Sequence, residues 1–160
     1  MTIGVGMYPS LGAATSSVKH ALHDQISAAL AAAAEDEVDV AFGFVWPAQW
    51  PDAVSVNAVR ATPGEGTTSP QRRREITVYV DVSIVSFRVT ADDAVPHDRA
   101  YGLLGLIDAH LREDPTMAGA ALWCFSEELT SDGATDETDA GEGRLCEIAV
   151  TYAARVIVTR

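Results

Sequence analysis

The run from Glu75 to Val89 restricts the fold more than any other part of the sequence. Its apolar side chains alternate with polar ones, at Ile76, Val78, Val80, Val82 and Ile84. A period of two residues is typical of a β-strand that buries one face. After Ile84 the apolar set moves by one residue, to Val85, Phe87 and Val89, and such a step reverses the buried face. We therefore predict a β-bulge or a change of packing partner near Ile84 and Val85.

Two other patterns predict helices. In the first, apolar residues recur every four positions, at Val18, Leu22, Ile26 and Leu30. Ser16 or Ser17 is expected to cap this helix, because a hydroxyl satisfies N–H groups that the first turn leaves free. In the second helix, one stripe is formed by Ala100, Leu103, Leu104, Ile107 and Leu111. Gly102 and Gly105 weaken it, and a close approach to a sheet would explain them.

The remaining patterns predict strands. Short strand-like runs cover 38–46 and 53–61, another begins at Ala121, and a long alternating run extends from Leu145 to Thr159. The order α, β, β, long β, α, β, long β lacks regular βαβ alternation. It predicts an α+β fold, in which two helices pack on one face of a mainly antiparallel β-sheet of about four to five strands. We expect a single domain over residues 1–160, with flexible loops near 62–74 and 127–143.

The formal net charge of −12 limits the partners that the chain can bind. Duplex DNA and anionic membranes are bound through lysine and arginine, so this chain is not expected to coat either. The charge is compatible with a passage through which DNA slides. No apolar run approaches the roughly 18 residues of a membrane span, and no secretory signal is recognisable. Cys124 and Cys146 are interpreted as buried thiols in a reducing cytoplasm, with a bridge between strands as the alternative.

The histidines and other reactive side chains form no recognisable catalytic pattern. His20 and His23 are three residues apart on the first predicted helix, but no HExxH arrangement or cysteine cluster completes a metal site. His97 and His110 have no evident catalytic partner. Neither a Gly-rich phosphate loop in its required setting nor a GxSxG motif occurs. We therefore predict that the protein is not an enzyme and has no catalytic, cofactor or metal site.

Three arginines and two tryptophans are candidates for contacts with a partner. Arg72, Arg73 and Arg74 concentrate basic charge at the start of the long strand, where they would pair with carboxylates of another subunit. The alternative is a solvated loop that offsets nearby acids. Trp46 and Trp50 are framed by prolines, and they suit a subunit contact or packing under the chain's own sheet equally well.

The segment from Glu127 to Glu142 contains no lysine or arginine. It is interpreted as a loop that faces a DNA passage or as a mobile hairpin tip, and the second interpretation is the usual one for such loops. The candidate residues of this segment are Glu127, Glu128, Asp132, Asp136, Glu137, Asp139 and Glu142.

The order of elements resembles the tail terminator and minor tail proteins of long-tailed bacteriophages. The segments that carry the resemblance are SSVKHALHDQISAAL, FVWPAQWPDAVSV, RRREITVYVDVSI and AYGLLGLIDAHLREDPTMAGAALWCF, together with the closing run CEIAVTYAARVIV. The likeness covers most of the chain as a pattern of elements and lengths. The helix-to-turn segment that ends in DPTMAG is its most particular piece.

The resemblance implies a role in assembly rather than in catalysis. Tail terminators form a homo-hexameric ring that caps the tail tube, stops its growth and joins it to the head connector. The implied partners are copies of the chain itself, the tail tube protein, head–tail connector proteins and DNA that passes through the lumen without specific binding. No cofactor and no membrane belong to this role. The implied location is the head-proximal end of the virion tail, after assembly in the host cytoplasm.

Two alternatives to the terminator stay open. A head–tail connector, or another tail-completion protein, has a similar length and the same α+β layout. A small-molecule-binding domain or enzyme would instead have a concave, polar-lined cavity near His97 or Trp46. An open β-edge and large planar surfaces would favour a ring, because heterologous contacts close into rings when their rotation fits.

Overall fold

One mixed sheet and two helices make up the part of the chain that the computed structural model describes, residues 4–45, 47–63 and 73–159. The elements follow in the order β1 (Met7–Tyr8), α1 (Leu11–Ala32), β2 (Val38–Phe42), β3 (Asp52–Pro63), β4 (Arg73–Val89), α2 (Ala94–Glu113), β5 (Trp123–Thr138) and β6 (Gly141–Thr159). Within the sheet the order is β2-β3-β4-β6, and β1 and β5 both pair with the other side of β6.

The predicted α+β class is confirmed, but the sheet is mixed and has six strands rather than four to five. The pairs β1–β6 and β2–β3 are parallel. Strand β1 has two residues, too few to produce a visible alternation. The parallel pairing of β2 with β3 was also not predictable, because a connection as short as 43–51 normally joins antiparallel strands.

The core lies between the helices and one face of the sheet. Its centre is the ladder of β4 and β6, which pair without interruption from Arg73–Thr159 to Val89–Gly143. The helix-facing side chains of this ladder include Val78, Val80, Ile148 and Val150, which are buried. Both predicted helical stripes are confirmed, because their members are buried at Val18, Leu22, Ile26, Leu30, Ala100, Leu103, Leu104, Ile107 and Leu111.

The start of α1 and the glycines of α2 differ from the predictions. Helix α1 begins at Leu11, and Ser10 caps it by accepting a hydrogen bond from the Ala13 N–H at 3.1 Å, so the expected caps Ser16 and Ser17 lie inside the helix. Gly102 and Gly105 face open space, with nothing within 4 Å of a Cβ built on either. The proposed close approach to the sheet is therefore wrong.

The predicted bulge near Ile84 and Val85 is also wrong. The register of β4 with β6 is continuous there, and the register shifts lie in β3 between Val56 and Val59 and in β5 between Ser126 and Glu128. The change of apolar parity instead agrees with the other predicted explanation, a change of packing partner. The helix-facing positions that follow Ile84 are Ser86 and Arg88, and both contact the buried carboxylate of Asp52.

The two predicted loops have different outcomes. Residues 127–138 are not a loop, because β5 pairs with β6 along this whole stretch and the chain turns only between Thr138 and Gly141. Period-two patterning cannot reveal this strand, because its side chains are exposed on both faces from Phe125 to Glu137. In the other segment, residues 62–63 belong to β3 and 73–74 to β4, while 64–72 lie outside the described residues.

Candidate functional site

The face of the sheet opposite the helices is the largest candidate for contacts. We call it the open face; in β4 it is formed by Thr77, Tyr79, Asp81, Ser83, Val85 and Phe87, each opposite an odd-numbered residue of β6. Most of these side chains are half-buried, because they lie among cross-strand neighbours rather than under another layer. Such a face offers a broad surface for contacts.

Aromatic and arginine side chains meet on the open face. Trp123 stacks with Phe125 at 5.7 Å between ring centroids, and the Arg155 guanidinium lies over Trp123 at 5.6 Å. Nearby, Arg60 lies over the ring of Tyr79 at 5.4 Å. Tryptophan, tyrosine and arginine are enriched in protein interfaces. Sequence reasoning missed this cluster, because its members come from four strands whose pairing was unknown.

The acidic segment lies on the β5–β6 hairpin. Strand β5 is an edge strand, which pairs only with β6 among the described strands. Asp132 lies directly opposite Glu147, and Glu137 lies opposite Glu142, so like charges face each other twice. Such pairs destabilise a sheet. Of the seven predicted residues only Glu142 forms an ion pair with a described residue, Arg144.

Among the described residues, the predicted arginines and the predicted tryptophan are not brought together. Arg73 and Arg74 are exposed at the start of β4, opposite the end of β6. Trp50 is half-buried in the β2–β3 connection, which contacts the far end of β4 through the hydrogen bond from Phe87 N–H to Pro51 O at 3.1 Å. Arg72 and Trp46 lie outside the described residues.

A buried ionic cluster joins both helices to the sheet. Asp52, only 2% exposed, accepts hydrogen bonds from Ser86 at 2.8 Å, from Arg88 at 2.7 and 2.8 Å, and from Arg99 at 2.8 Å. Arg99 also donates to Glu35 at 2.6 and 2.9 Å. Burial alone would raise the pKa of Asp52, but these hydrogen bonds outweigh it and hold the pKa below its ordinary value. The cluster is saturated internally, so we assign it a structural role.

The histidines on α1 pack against an aromatic ring. His20 stacks on Phe42 with 4.4 Å between centroids, and His23 meets the same ring edge-on at 5.9 Å. Among the described residues, no group of three or more His, Cys, Asp or Glu side chains is placed to hold a metal ion. Within the same residues, no helix is long and apolar enough to cross a membrane.

His97 lines an open cleft between the start of α2 and β5. The cleft has a volume of about 420 Å³ and is lined also by Asp93, Ser131, Thr135 and Cys146. Its carboxylate and hydroxyl groups make it polar, as the small-molecule alternative requires. Cys146 is buried and free, and burial raises the pKa of its thiol, so the reactive thiolate form is disfavoured. The other cysteine, Cys124, is likewise free and buried, with a pKa raised to about 12 by burial.

The DPTMAG segment forms a strained turn after α2. Met117 and Ala118 have φ angles of 51° and 57°, which are unusual for residues other than glycine. The Asp114 carboxylate accepts hydrogen bonds from Thr116 N–H at 3.1 Å, Thr116 Oγ1 at 2.6 Å and Ala118 N–H at 2.9 Å. These bonds lower the pKa of Asp114, and that from the Thr116 hydroxyl has the largest effect. The turn therefore favours the ionised form of Asp114.

Comparison with known proteins gives little sequence similarity. No family profile and no curated protein sequence matches the chain. One chain of a solved structure, the virion of a native gene transfer agent (GTA) particle, is similar to 86% of this chain and over 92% of its own length, with 12% identity and a TM-score of 0.47. This similarity transfers no residue role to the present chain.

Proposed function

We propose that the chain is a non-catalytic structural protein of a phage virion and acts as a tail terminator. In this role six copies form a ring that caps the tail tube, stops its growth and joins it to the head connector. The observation that carries the proposal is the combination of a 16-residue edge strand, β5, with an open sheet face. Both are surfaces that a ring would cover. The resemblance of the sequence segments to those of tail terminators supports the end of the tail tube as the place where the ring assembles.

The positions of the two sheet edges support a ring. Strand β2 lies at one edge and β5 at the other, so the two edges differ in length, sequence and charge. A contact between unlike surfaces is heterologous, and repetition of such a contact yields a closed ring or an open filament. A two-fold dimer would instead need one surface that is complementary to itself.

The acidity of the chain supports a passage for DNA. Six of the seven predicted acidic residues on the β5–β6 hairpin have no ion pair with a described residue. Carboxylates repel phosphate groups, so a lumen lined by the acids nearest the hairpin turn, Asp132, Asp136, Glu137 and Asp139, would let DNA pass without holding it. The proposed partners are further copies of the chain, the tail tube protein and the head–tail connector, at the head-proximal end of the tail.

Tube polymerisation tests the terminator role. The tail tube protein of the same phage is polymerised with and without this chain, and tube lengths and tube ends are examined by electron microscopy. We expect shorter tubes with a ring at one end. Tubes that grow to the same lengths and carry no added density would contradict the role. A ring found between connector and capsid, with bare tube ends, would favour the neck-connector alternative.

The cleft beside His97 gives the small-molecule alternative a specific test. If the cleft binds a metabolite, soaking or thermal-shift screening should find a ligand whose stabilisation is lost in His97→Ala. Under the terminator proposal, His97→Ala leaves tube capping unchanged.

A further inference from the structure

We infer that strand β5 of one copy docks on the arginine-bearing end of the sheet in the next copy, an inference that rests on the proposed ring. The segment of β5 that makes the contact is Phe125–Leu129. The surface that receives it is a groove beside Arg74. Both surfaces belong to this chain. Strand β5 carries acidic and apolar side chains, and the groove has basic charge and an apolar lining.

Strand β5 leaves apolar side chains partly exposed, although Phe125 stacks on Trp123, and it carries acidic side chains without ion pairs to described residues. Phe125 is 45% exposed and Leu129 is 40% exposed, although large apolar side chains of a strand are normally packed. Glu127 and Glu128 lie between them and form no ion pair with the described residues. Because β5 pairs only with β6 among the described strands, its outer backbone edge is open as well. Long open edges are surfaces that proteins normally protect or pair.

The receiving groove lies where α1 begins and β3 ends. It has a volume of about 370 Å³, and its lining is mostly apolar, with Leu11, Pro63, Ile76 and Val158 among the contributors. This volume accommodates the side chain of a leucine. Leu11 is 47% exposed, so the groove leaves an apolar side chain in contact with water.

Basic charge borders the groove. Arg74 lines it, and Arg73 is exposed next to Arg74. Neither forms an ion pair with a described residue. Successive residues of a strand point to opposite faces, so Arg74 borders the groove itself, whereas Arg73 faces the other side of the sheet. A groove with Arg74 at its border matches a strand that carries Leu129 beside two glutamates. Arginine pairs with carboxylates through two parallel hydrogen bonds, which fixes orientation as well as attraction.

The distance between the two surfaces favours a second copy over contact within one copy. Arg73 and Arg74 lie at the beginning of β4, whereas Glu128 of the docking segment lies opposite Thr151 of β6, in register with Asp81 in the middle of β4. Seven residues separate Arg74 from Asp81 along β4, which corresponds to roughly 23 Å at about 3.3 Å per residue, and β6 lies between β4 and β5. Opposite charges at separate places on one molecule attract the next molecule, and such a contact between unlike surfaces is heterologous.

Charge exchange between the two surfaces tests the docking mode. Sedimentation velocity is measured for the wild type, for Glu127→Arg with Glu128→Arg, for Arg73→Glu with Arg74→Glu, and for the variant that carries all four changes. We expect each pair to weaken self-association by about tenfold or more, and the fourfold variant to recover most of it. The matched control is Asp36→Arg with Glu37→Arg, an exposed acidic pair elsewhere, which should associate like the wild type.

Two further variants test the apolar part of the contact. Leu129→Asn should weaken association, whereas Val95→Asn, at a side chain that is 44% exposed, should not. Thermal unfolding of each variant separates loss of association from loss of folding. Oligomers that form equally well in all variants overturn the docking mode and leave the proposed ring intact. A wild-type protein that never self-associates overturns both.

Discussion

The hydroxyl group of Tyr8 donates a hydrogen bond to the carbonyl oxygen of Ala120 at 2.6 Å, across 112 positions of the sequence. Tyr8 is fully buried, and its strand β1 pairs in parallel with the end of β6. Two residues before Tyr8, the Gly6 N–H donates a hydrogen bond to the Gly119 carbonyl oxygen at 2.9 Å. Gly6 and Tyr8 are thus hydrogen-bonded to the turn that follows α2.

Removal of the Tyr8 hydroxyl should destabilise the fold. Tyr8→Phe leaves the Ala120 carbonyl without its donor in a buried position, and such a loss costs about 1–3 kcal/mol. Urea unfolding measures the change. The control is Tyr101→Phe, whose hydroxyl donates to Ser131 Oγ at an exposed site and should cost less than about 0.5 kcal/mol. Equal losses in the two variants would contradict the assigned role.

Replacement of Asp52 should be the most damaging change at a polar side chain. Asp52→Asn leaves Arg88 and Arg99 with reduced compensation in a largely buried site, and breaking a buried ion pair costs roughly 3–5 kcal/mol. Asp81→Asn removes the partner of the half-exposed Arg60 and should cost less than about 1 kcal/mol. Chemical denaturation measures the free energy of unfolding of both variants. A cost at Asp52 no larger than that at Asp81 would show that the cluster does not hold the helices.

The same cluster predicts a loss of stability in acid. Hydrogen bonds from Arg99 lower the pKa of Glu35, and the pKa of Asp52 is also lowered. A carboxylate whose pKa is lower in the folded state stabilises the fold above its unfolded pKa, about 4, and this contribution disappears as the pH falls through the folded pKa. Thermal unfolding between pH 7 and pH 2 should therefore show a decline that begins near pH 4. The decline should be smaller in Asp52→Asn, and an identical decline would contradict the assignment.

Substitution of three glycines by alanine distinguishes the steric effect of an added Cβ from the effect of helix propensity. A Cβ at Gly6 would lie 2.7 Å from the backbone nitrogen of Leu122, and the φ angle of Gly6 is +61°, so Gly6→Ala should destabilise by several kcal/mol. Gly102→Ala and Gly105→Ala meet nothing within 4 Å and should each stabilise α2 by up to about 1 kcal/mol. Melting temperatures give the sign of each change. A stabilising Gly6→Ala would mean that β1 does not pack as described.

The sequence alone predicted the elements whose side chains are buried on one side. Helices α1 and α2 and strand β4 have this property, and their apolar periods correspond to the buried faces. The outer part of β5, from Glu127 onward, was missed because it is exposed on both faces, and β1 because of its two residues. The buried Asp52 cluster left one visible trace, the change of parity after Ile84. It was interpreted as a bulge or a change of packing partner, because a polar pair on a buried face produces the same pattern as a bulge.

The candidate contact surfaces were predictable only in part. The acidic residues of the hairpin and Arg73 with Arg74 stand out in composition, and the structure leaves them exposed at separate places. The groove beside Arg74 and the Trp123–Phe125–Arg155 cluster were not predictable. Each assembles residues from strands that are distant in sequence, and the strand order was unknown.

Native mass spectrometry across a wide concentration range tests the central claim most directly, because a ring-forming protein must self-associate in a defined number of copies. We expect a six-subunit species that is in equilibrium with the monomer, with few intermediates of odd size. Increasing ionic strength should shift the equilibrium toward the monomer, since the proposed contact is partly ionic. A stable dimer, or a monomer at every concentration, would contradict the ring.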